Sequence, residues 1–313
     1  MGRCAALLVF LAELIVLVTP LHAGERARSV RFEGAGACAA RPLGRLVVAT
    51  LDNVPIVTLQ ANQHPITMVL DTGAERTVLT SDAAARIKAQ PPRVIFDRRM
   101  YGLARALPTR EVEFDSLTAD GVPVPWRRAL VGAVTLAQPL GLKLDGLLGA
   151  DMLSQFDNDL DLAHQQLTLY GARSCSDGPP WAGPYSALNA GLSRNEHLFF
   201  RVRLNNREMT AIFDTGAQRS TISTAAAYRA GVSEVTLEHD RPLTTRGAAD
   251  ERLPAHIHRF SELQIGSEAI RDPELVVTNT TFSDADIILG ADFLKARRLW
   301  LSYAALKIYL SRR

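Results

Sequence analysis

The sequence has little charge of either sign in excess: 35 Lys and Arg stand against 33 Asp and Glu, a net +2 in 313 residues. With no long basic run either, it lacks the electrostatic footprint that nucleic-acid binding requires. Also missing are Gly-x-Ser-x-Gly, His-Glu-x-x-His and a phosphate-binding glycine loop, which removes the signatures of a serine-elbow hydrolase, a zinc peptidase and a P-loop enzyme. Cysteine is rare, with three in all. What is plentiful is apolar content, 47%, too much for a disordered chain and enough for one large or two medium cores.

Arg3 is followed by the apolar run from Cys4 to Val18 and by a small-residue ending at Ala23. The run falls short of the roughly 20 residues a membrane span needs, and it contains Glu13. Residues 1–23 therefore read as a secretory signal peptide, so that the mature protein is expected to be periplasmic or secreted, with no stable membrane insertion after cleavage. Cys38, in an N-terminal extension (24–44), and Cys175 then remain as an even pair in an oxidising compartment, which predicts one disulfide.

The dominant signal is internal repetition. Thr67-Met-Val-Leu-Asp-Thr-Gly-Ala-Glu-Arg76 returns as Thr210-Ala-Ile-Phe-Asp-Thr-Gly-Ala-Gln-Arg219, with six of ten positions identical at an offset of 143. Asp145-Gly-Leu-Leu-Gly-Ala-Asp-Met-Leu-Ser154 returns as Asp286-Ile-Ile-Leu-Gly-Ala-Asp-Phe-Leu-Lys295, again with six identities and an offset of 141. Two different motifs repeated in one order mean a duplicated domain. Each Asp-Thr-Gly follows a hairpin-like pattern (Ile56 to Leu70, Phe199 to Phe213). It precedes a β-branched run (77–80, 220–223) and an alanine-rich short helix (82–87, 225–230). Each half closes on a Gly-Ala-Asp turn, a short helix and an alternating strand (166–170, 306–310). The Gly, Pro and Ser content of 171–193 predicts a linker between an N-terminal lobe (45–170) and a C-terminal lobe (194–313).

In Asp71-Thr-Gly-Ala74 and Asp214-Thr-Gly-Ala217, with Leu147-Leu148-Gly149 and Ile288-Leu289-Gly290 downstream, the sequence resembles the aspartic peptidases, most closely their retropepsin-like branch. The resemblance covers most of residues 45–313. It implies a mostly β fold of two similar retropepsin-like barrel lobes, arranged in one chain as a pepsin-like bilobal pseudo-dimer with short helices. It also implies that each lobe supplies one catalytic aspartate. Metal-free peptide hydrolysis needs a base to activate water and an acid to polarise the carbonyl, and two facing carboxylates sharing one proton provide both. Asp71 and Asp214 are the implied pair. Gly73 and Gly216 admit close backbone approach, and by resemblance Thr72 and Thr215 cross-brace the loops. Ala74 and Ala217 stand where pepsin-like enzymes usually carry a hydroxyl, so the dyad is expected to keep its shared proton to higher pH.

Tyr101-Gly102 falls about where the family's flap tip lies, and Gly247 is its counterpart in the second half. Trp126 reads as a packing residue that could also line a pocket. His256 and His258 read as a solvated strand face without the further ligands of a metal site, and Arg127, Arg128, Arg297 and Arg298 as solvated surface. The expected protein is an aspartic endopeptidase acting on peptides or proteins as a monomer, without cofactor or metal. The residues leave open a catalytically silent peptide-binding or scaffolding protein of the same fold, and pairing of lobes between chains.

Overall fold

Local chemistry closes the hairpins first. Strands Val54–Ala61 and His64–Leu70 are joined by Asn62-Gln63, and strands Leu198–Leu204 and Arg207–Phe213 by Asn205-Asn206, all four turn residues having positive φ. Two-residue turns of this handedness match the twist of the strands they join. Asn62 Oδ1 also accepts from the Asp115 and Ser116 N–H groups (2.8 and 2.9 Å), while its amide donates to Ile87 O. Asn205 repeats this with Ser261 N–H and Ala230 O. The short helices Ser81–Arg86 and Thr224–Arg229 begin where Thr80 and Ser223 accept from the N–H groups of Ala83 and Ala226.

The computed structural model describes residues 41–93, 100–101, 106–133, 143–172, 178–247 and 251–312. The signal-peptide and most of the extension readings, Cys38, Cys175 and Gly102 lie outside them. Each half builds the same crossed motif. Strand Gly146–Leu148 runs parallel to His64–Leu70 and antiparallel to Val78–Leu79, and strand Ile287–Leu289 does the same with Arg207–Phe213 and Thr221–Ser223. The fold is a mostly β, two-lobed pseudo-dimer.

A six-stranded antiparallel sheet unites the lobes. Its order is Gly44–Leu51, Gln166–Gly171, Phe156–Asp161, Arg298–Ser302, Lys307–Ser311, Tyr185–Leu192, and the central pairing sets Asp159 opposite Trp300 across the lobe boundary. Two features correct the sequence reading. The supposed linker 171–193 contains strand Tyr185–Leu192, which extends this sheet through Lys307–Ser311 and starts the next hairpin with Leu198–Leu204. Each half also ends on two strands rather than one, because Phe156–Asp161 and Arg298–Ser302 precede the alternating pair.

The paired arginines are corrected as well. Arg297 is buried, donates to both carboxylate oxygens of Glu268 (2.7 and 2.6 Å) and lies over the Phe293 ring. Arg298 donates to both oxygens of buried Asp159 (2.8 and 2.6 Å) and stacks over Trp181, whose indole N–H reaches the same carboxylate at 3.1 Å. Arg128 does pair at the surface, with Glu113 at 2.8 Å, and Arg127 is exposed. Trp126 packs against the main core.

Candidate active site

Asp71 and Asp214 leave the ends of equivalent strands. The Asp71 N–H donates to Leu148 O and the Asp214 N–H to Leu289 O, each at 3.0 Å, so each aspartate is anchored to the apolar-apolar-Gly strand of its own lobe. The inner oxygen of each is held by its own loop. Asp71 Oδ1 accepts from Gly73 N–H (3.0 Å) and Ala74 N–H (2.9 Å), and Asp214 Oδ1 from Gly216 N–H (2.9 Å) and Ala217 N–H (3.1 Å).

Across the boundary the two loops are locked reciprocally. The Thr72 hydroxyl donates to Phe213 O (2.7 Å) and accepts from Thr215 N–H (3.1 Å), while the Thr215 hydroxyl donates to Leu70 O (2.5 Å) and accepts from Thr72 N–H (3.1 Å). Both threonines are buried, so these bonds are shielded from competing water. The glycines explain themselves in the same geometry. A Cβ on Gly73 would fall 2.6 Å from Asp214 Oδ1, and one on Gly216 would fall 2.6 Å from Asp71 Oδ1. Any side chain there would drive the facing carboxylate away.

The carboxyl groups face each other across the two loops, Gly73 lying against Asp214 and Gly216 against Asp71. Burial is the largest influence on Asp71, and the adjacent Asp214 charge adds to it, so the Asp71 carboxyl is pushed well above the ordinary range. Burial also raises Asp214, against the hydrogen bond from Asp71, the Ala217 and Gly216 N–H groups and the charge of His197. The two titrate as a pair that retains one proton over a wide pH span. Chemically this is a site able to take a proton from water and give another to a carbonyl oxygen.

A supporting layer lies beneath. Asp151 Oδ1 accepts from the Thr77 N–H (2.8 Å), Thr77 hydroxyl (2.7 Å) and Met152 N–H (2.8 Å), and the Gly149 N–H donates to the Thr77 hydroxyl oxygen (3.1 Å). Asp292, Ser220, Phe293 and Gly290 repeat these contacts. The repeated Gly-Ala-Asp motif displayed these aspartates in the sequence, but not what they hold. Burial lifts the Asp151 carboxyl to about 6, against the two Thr77 bonds, the Arg76 charge and the Met152 N–H. The folded chain thus retains a proton that the unfolded chain has released, and stability falls as pH rises from about 4 to 6. Asp151→Asn keeps the Oδ1 acceptor and removes this titration. Relative to the natural protein, its stability should rise by up to about 3 kcal/mol between pH 4 and pH 7, as urea unfolding at the two pH values would measure.

Strands Met100–Tyr101 and Ala106–Leu107 form an antiparallel pair in which Tyr101 is opposite Ala106. In the other lobe, Arg241–Arg246 and Arg252–Arg259 form a longer hairpin with Gly247 at its turn, donating to Glu251 O. His258 is not a bare surface residue: Nδ1 lies 2.7 Å from Asp240 Oδ2, and the ring meets Phe260 edge-on. Among the described residues, no group of three His, Cys, Asp or Glu side chains is placed to hold a metal.

Sequence reasoning passed over His197. It sits in the turn before strand Leu198–Leu204, is buried, and has Nδ1 2.7 Å from Asp284 Oδ2. A lone histidine in a polar turn carries no pattern that could have marked it.

Residues 57–152 match the sequence model of a family described as aspartyl protease, and residues 200–296 match that of the gag-polyprotein putative aspartyl protease family. No curated protein matches the chain in sequence. Among solved structures, the aspartic proteinase from Irpex lacteus is similar at 12% identity and a TM-score of 0.54, over 86% of this chain and 96% of that one. Basic 7S globulin from soybean aligns at 10% identity and a TM-score of 0.46, over 86% and 95% of the two chains.

Proposed function

The chain belongs to the retropepsin-like aspartic peptidases, and on that premise we propose that it is an endopeptidase that hydrolyses peptide bonds with water activated between Asp71 and Asp214. The observation that carries the reading is the reciprocal locking of two Asp-Thr-Gly loops, which sets the Asp71 and Asp214 carboxyl groups close together, each against the glycine of the other loop. A scaffold that only bound peptides would have no need of a buried, mutually raised acid pair. Such pairs are costly to fold, and they are kept where chemistry uses them.

In the reaction the ionised member accepts a proton from water as the water oxygen bonds to the carbonyl carbon, and the protonated member donates to the carbonyl oxygen. Gly73 and Gly216 keep the space above the carboxylates clear. Thr72 and Thr215 fix the distance between the two loops, and the buried Asp151 and Asp292 hold those loops from below. The strand pair Met100–Tyr101 and Ala106–Leu107, and the hairpin with Gly247 at its turn, are the proposed covers of the bound peptide. Export, with a periplasmic or extracellular site of action, rests on the pattern of residues 1–23.

The test is incubation of the mature protein with a mixed peptide library, with and without pepstatin. Internal cleavage suppressed by the inhibitor is expected. Intact peptides at every pH from 3 to 8, with the inhibitor still bound, would favour the catalytically silent binder.

A further inference from the structure

The turn that leads into strand Leu198–Leu204 is longer than its counterpart in the first lobe, and it is built around one side chain. In the first lobe, strands Gly44–Leu51 and Val54–Ala61 are joined by Asp52 and Asn53 alone. In the second, Ser193 to His197 fill the same gap between Tyr185–Leu192 and Leu198–Leu204. Ser193, Asn195 and His197 are tied down. The Ser193 hydroxyl accepts from the N–H groups of Asn195 and His197 (both 3.1 Å), the Asn195 amide donates to Asp284 Oδ2 (3.1 Å), and His197 Nδ1 lies 2.7 Å from the same oxygen. Of the remaining pair, Arg194 is exposed and Glu196 turns to the first lobe.

Glu196 Oε1 accepts from Arg76 Nη1, and its Oε2 accepts from the Ser154 hydroxyl, each at 3.4 Å. These partners are two ends of one clamp. Arg76 lies between Ala74, whose carbonyl accepts from the Ala150 N–H (2.8 Å), and Thr77, whose N–H donates to Asp151, while Ser154 closes the short helix Ala150–Leu153. Glu196 makes the contact from a backbone conformation that glutamate rarely adopts, with φ at 64°. The first lobe gives its positive-φ turn positions to Asp52 and Asn53, which tolerate them. A disfavoured backbone kept within a fully anchored turn points to a use for the side chain it presents. Among the described residues nothing matches the contact across the pseudo-symmetry: Arg219 repeats Arg76 but is exposed, and neither Asp52 nor Asn53 is bonded to the opposite lobe.

We infer that Glu196 is a positioning residue, a strut from the second lobe that fixes the Asp71 loop and has no equivalent for the Asp214 loop. Its use in catalysis rests on the peptidase reading, though its measurement does not. The cross-brace of Thr72 and Thr215 joins the two loops to each other with equal bonds in the two directions. The strut adds a second point of attachment, to one loop only. With side chains 20% and 33% exposed, the Arg76–Glu196 pair contributes little to overall stability. Its effect falls on the alignment of a carboxyl group that has to meet water and carbonyl together.

The experiment compares the natural protein with Glu196→Asn, which suits the positive-φ backbone but is too short to reach across, and with Glu196→Gln, which keeps the length and removes the charge. Amide hydrogen exchange is read at Gly73 and Ala74, with Gly216 and Ala217 as the internal control. In Glu196→Asn, exchange at Gly73 and Ala74 should quicken about two- to fivefold, the worth of one partly exposed ion pair, and less in Glu196→Gln, with Gly216 and Ala217 unchanged. The melting temperature of Glu196→Asn should stay level or rise as the backbone relaxes, while kcat falls about three- to tenfold at nearly constant KM. Unmoved exchange at Gly73 and Ala74, or equal quickening in the two loops, overturns the proposal, as does a loss of kcat that only follows a lowered melting temperature. If Glu196→Asn does not fold, the same readings on Glu196→Gln decide. Quickening confined to the Asp71 loop, in a protein that cleaves no peptide, would refute the peptidase reading alone. Cleavage by a protein whose two loops respond alike would refute the strut alone.

Discussion

Replacing either Asp71 or Asp214 by Asn is expected to lower turnover by at least about a thousandfold, because a single remaining carboxyl cannot serve as acid and base in the same step. The fold should survive. Asn retains the inner oxygen that accepts from the two loop N–H groups, and the cross-brace through Thr72 and Thr215 does not involve the carboxylates. Stability should even rise near neutral pH. Both carboxyls are pushed up on folding, so above the ordinary carboxylate range the native state pays for holding charge or proton where the unfolded chain would not. A loss of turnover accompanied by an equal or higher melting temperature at pH 7 is the signature sought. Residual activity above about one per cent of the natural rate in either purified variant would remove the paired mechanism.

The second large effect is structural and lies away from the cleft. Arg298→Ala should destabilise the protein by about 3 kcal/mol or more, because it strands the Asp159 carboxylate, whose side chain is 1% exposed, without its bidentate partner. Burial already raises Asp159 despite Arg298 and the Trp181 N–H, so the site has no reserve of stabilisation for an isolated charge. Adding Asp159→Asn to the same protein should recover most of the loss. Chemical unfolding of the two single variants and the double variant would show this as a strong coupling. A cost below about 1 kcal/mol for Arg298→Ala would mean that water or another group replaces the guanidinium.

The Arg298 case also shows where the sequence is readable and where it is not. Both hairpins that lead into Asp-Thr-Gly, the short helices after them and the duplication itself are local patterns: alternation, capping residues, and identical motifs at equal spacing. Strand Phe156–Asp161 is invisible to the same reading. It carries Asp157, Asn158 and Asp159 in succession, a run that looks like a polar loop, yet all three are buried. The partners of the two aspartates lie elsewhere in the chain. Asp157 accepts from the Ser302 hydroxyl at 2.6 Å, and Asp159 meets Arg298, both from the opposite lobe, while Asn158 donates to the carbonyls of Leu153 and Phe156. Polar groups can be buried once such bonds exist, and no periodicity records a bond to a residue more than a hundred positions away. Strand Tyr185–Leu192 was hidden by the Gly and Pro around it, and His197 by its solitude. Of the site, the two carboxyls and their glycines were legible, and the bonds from Asp151 and Asp292 that hold the loops from below were not.

The continuous six-stranded sheet has a kinetic meaning. A dyad assembled from two separate polypeptides is lost on dilution, since its association is second order. Here both carboxyls belong to one chain, and the sheet that aligns them closes by an intramolecular step whose effective concentration does not fall when the protein is diluted. Activity per molecule should therefore be the same in a nanomolar solution as in a micromolar one.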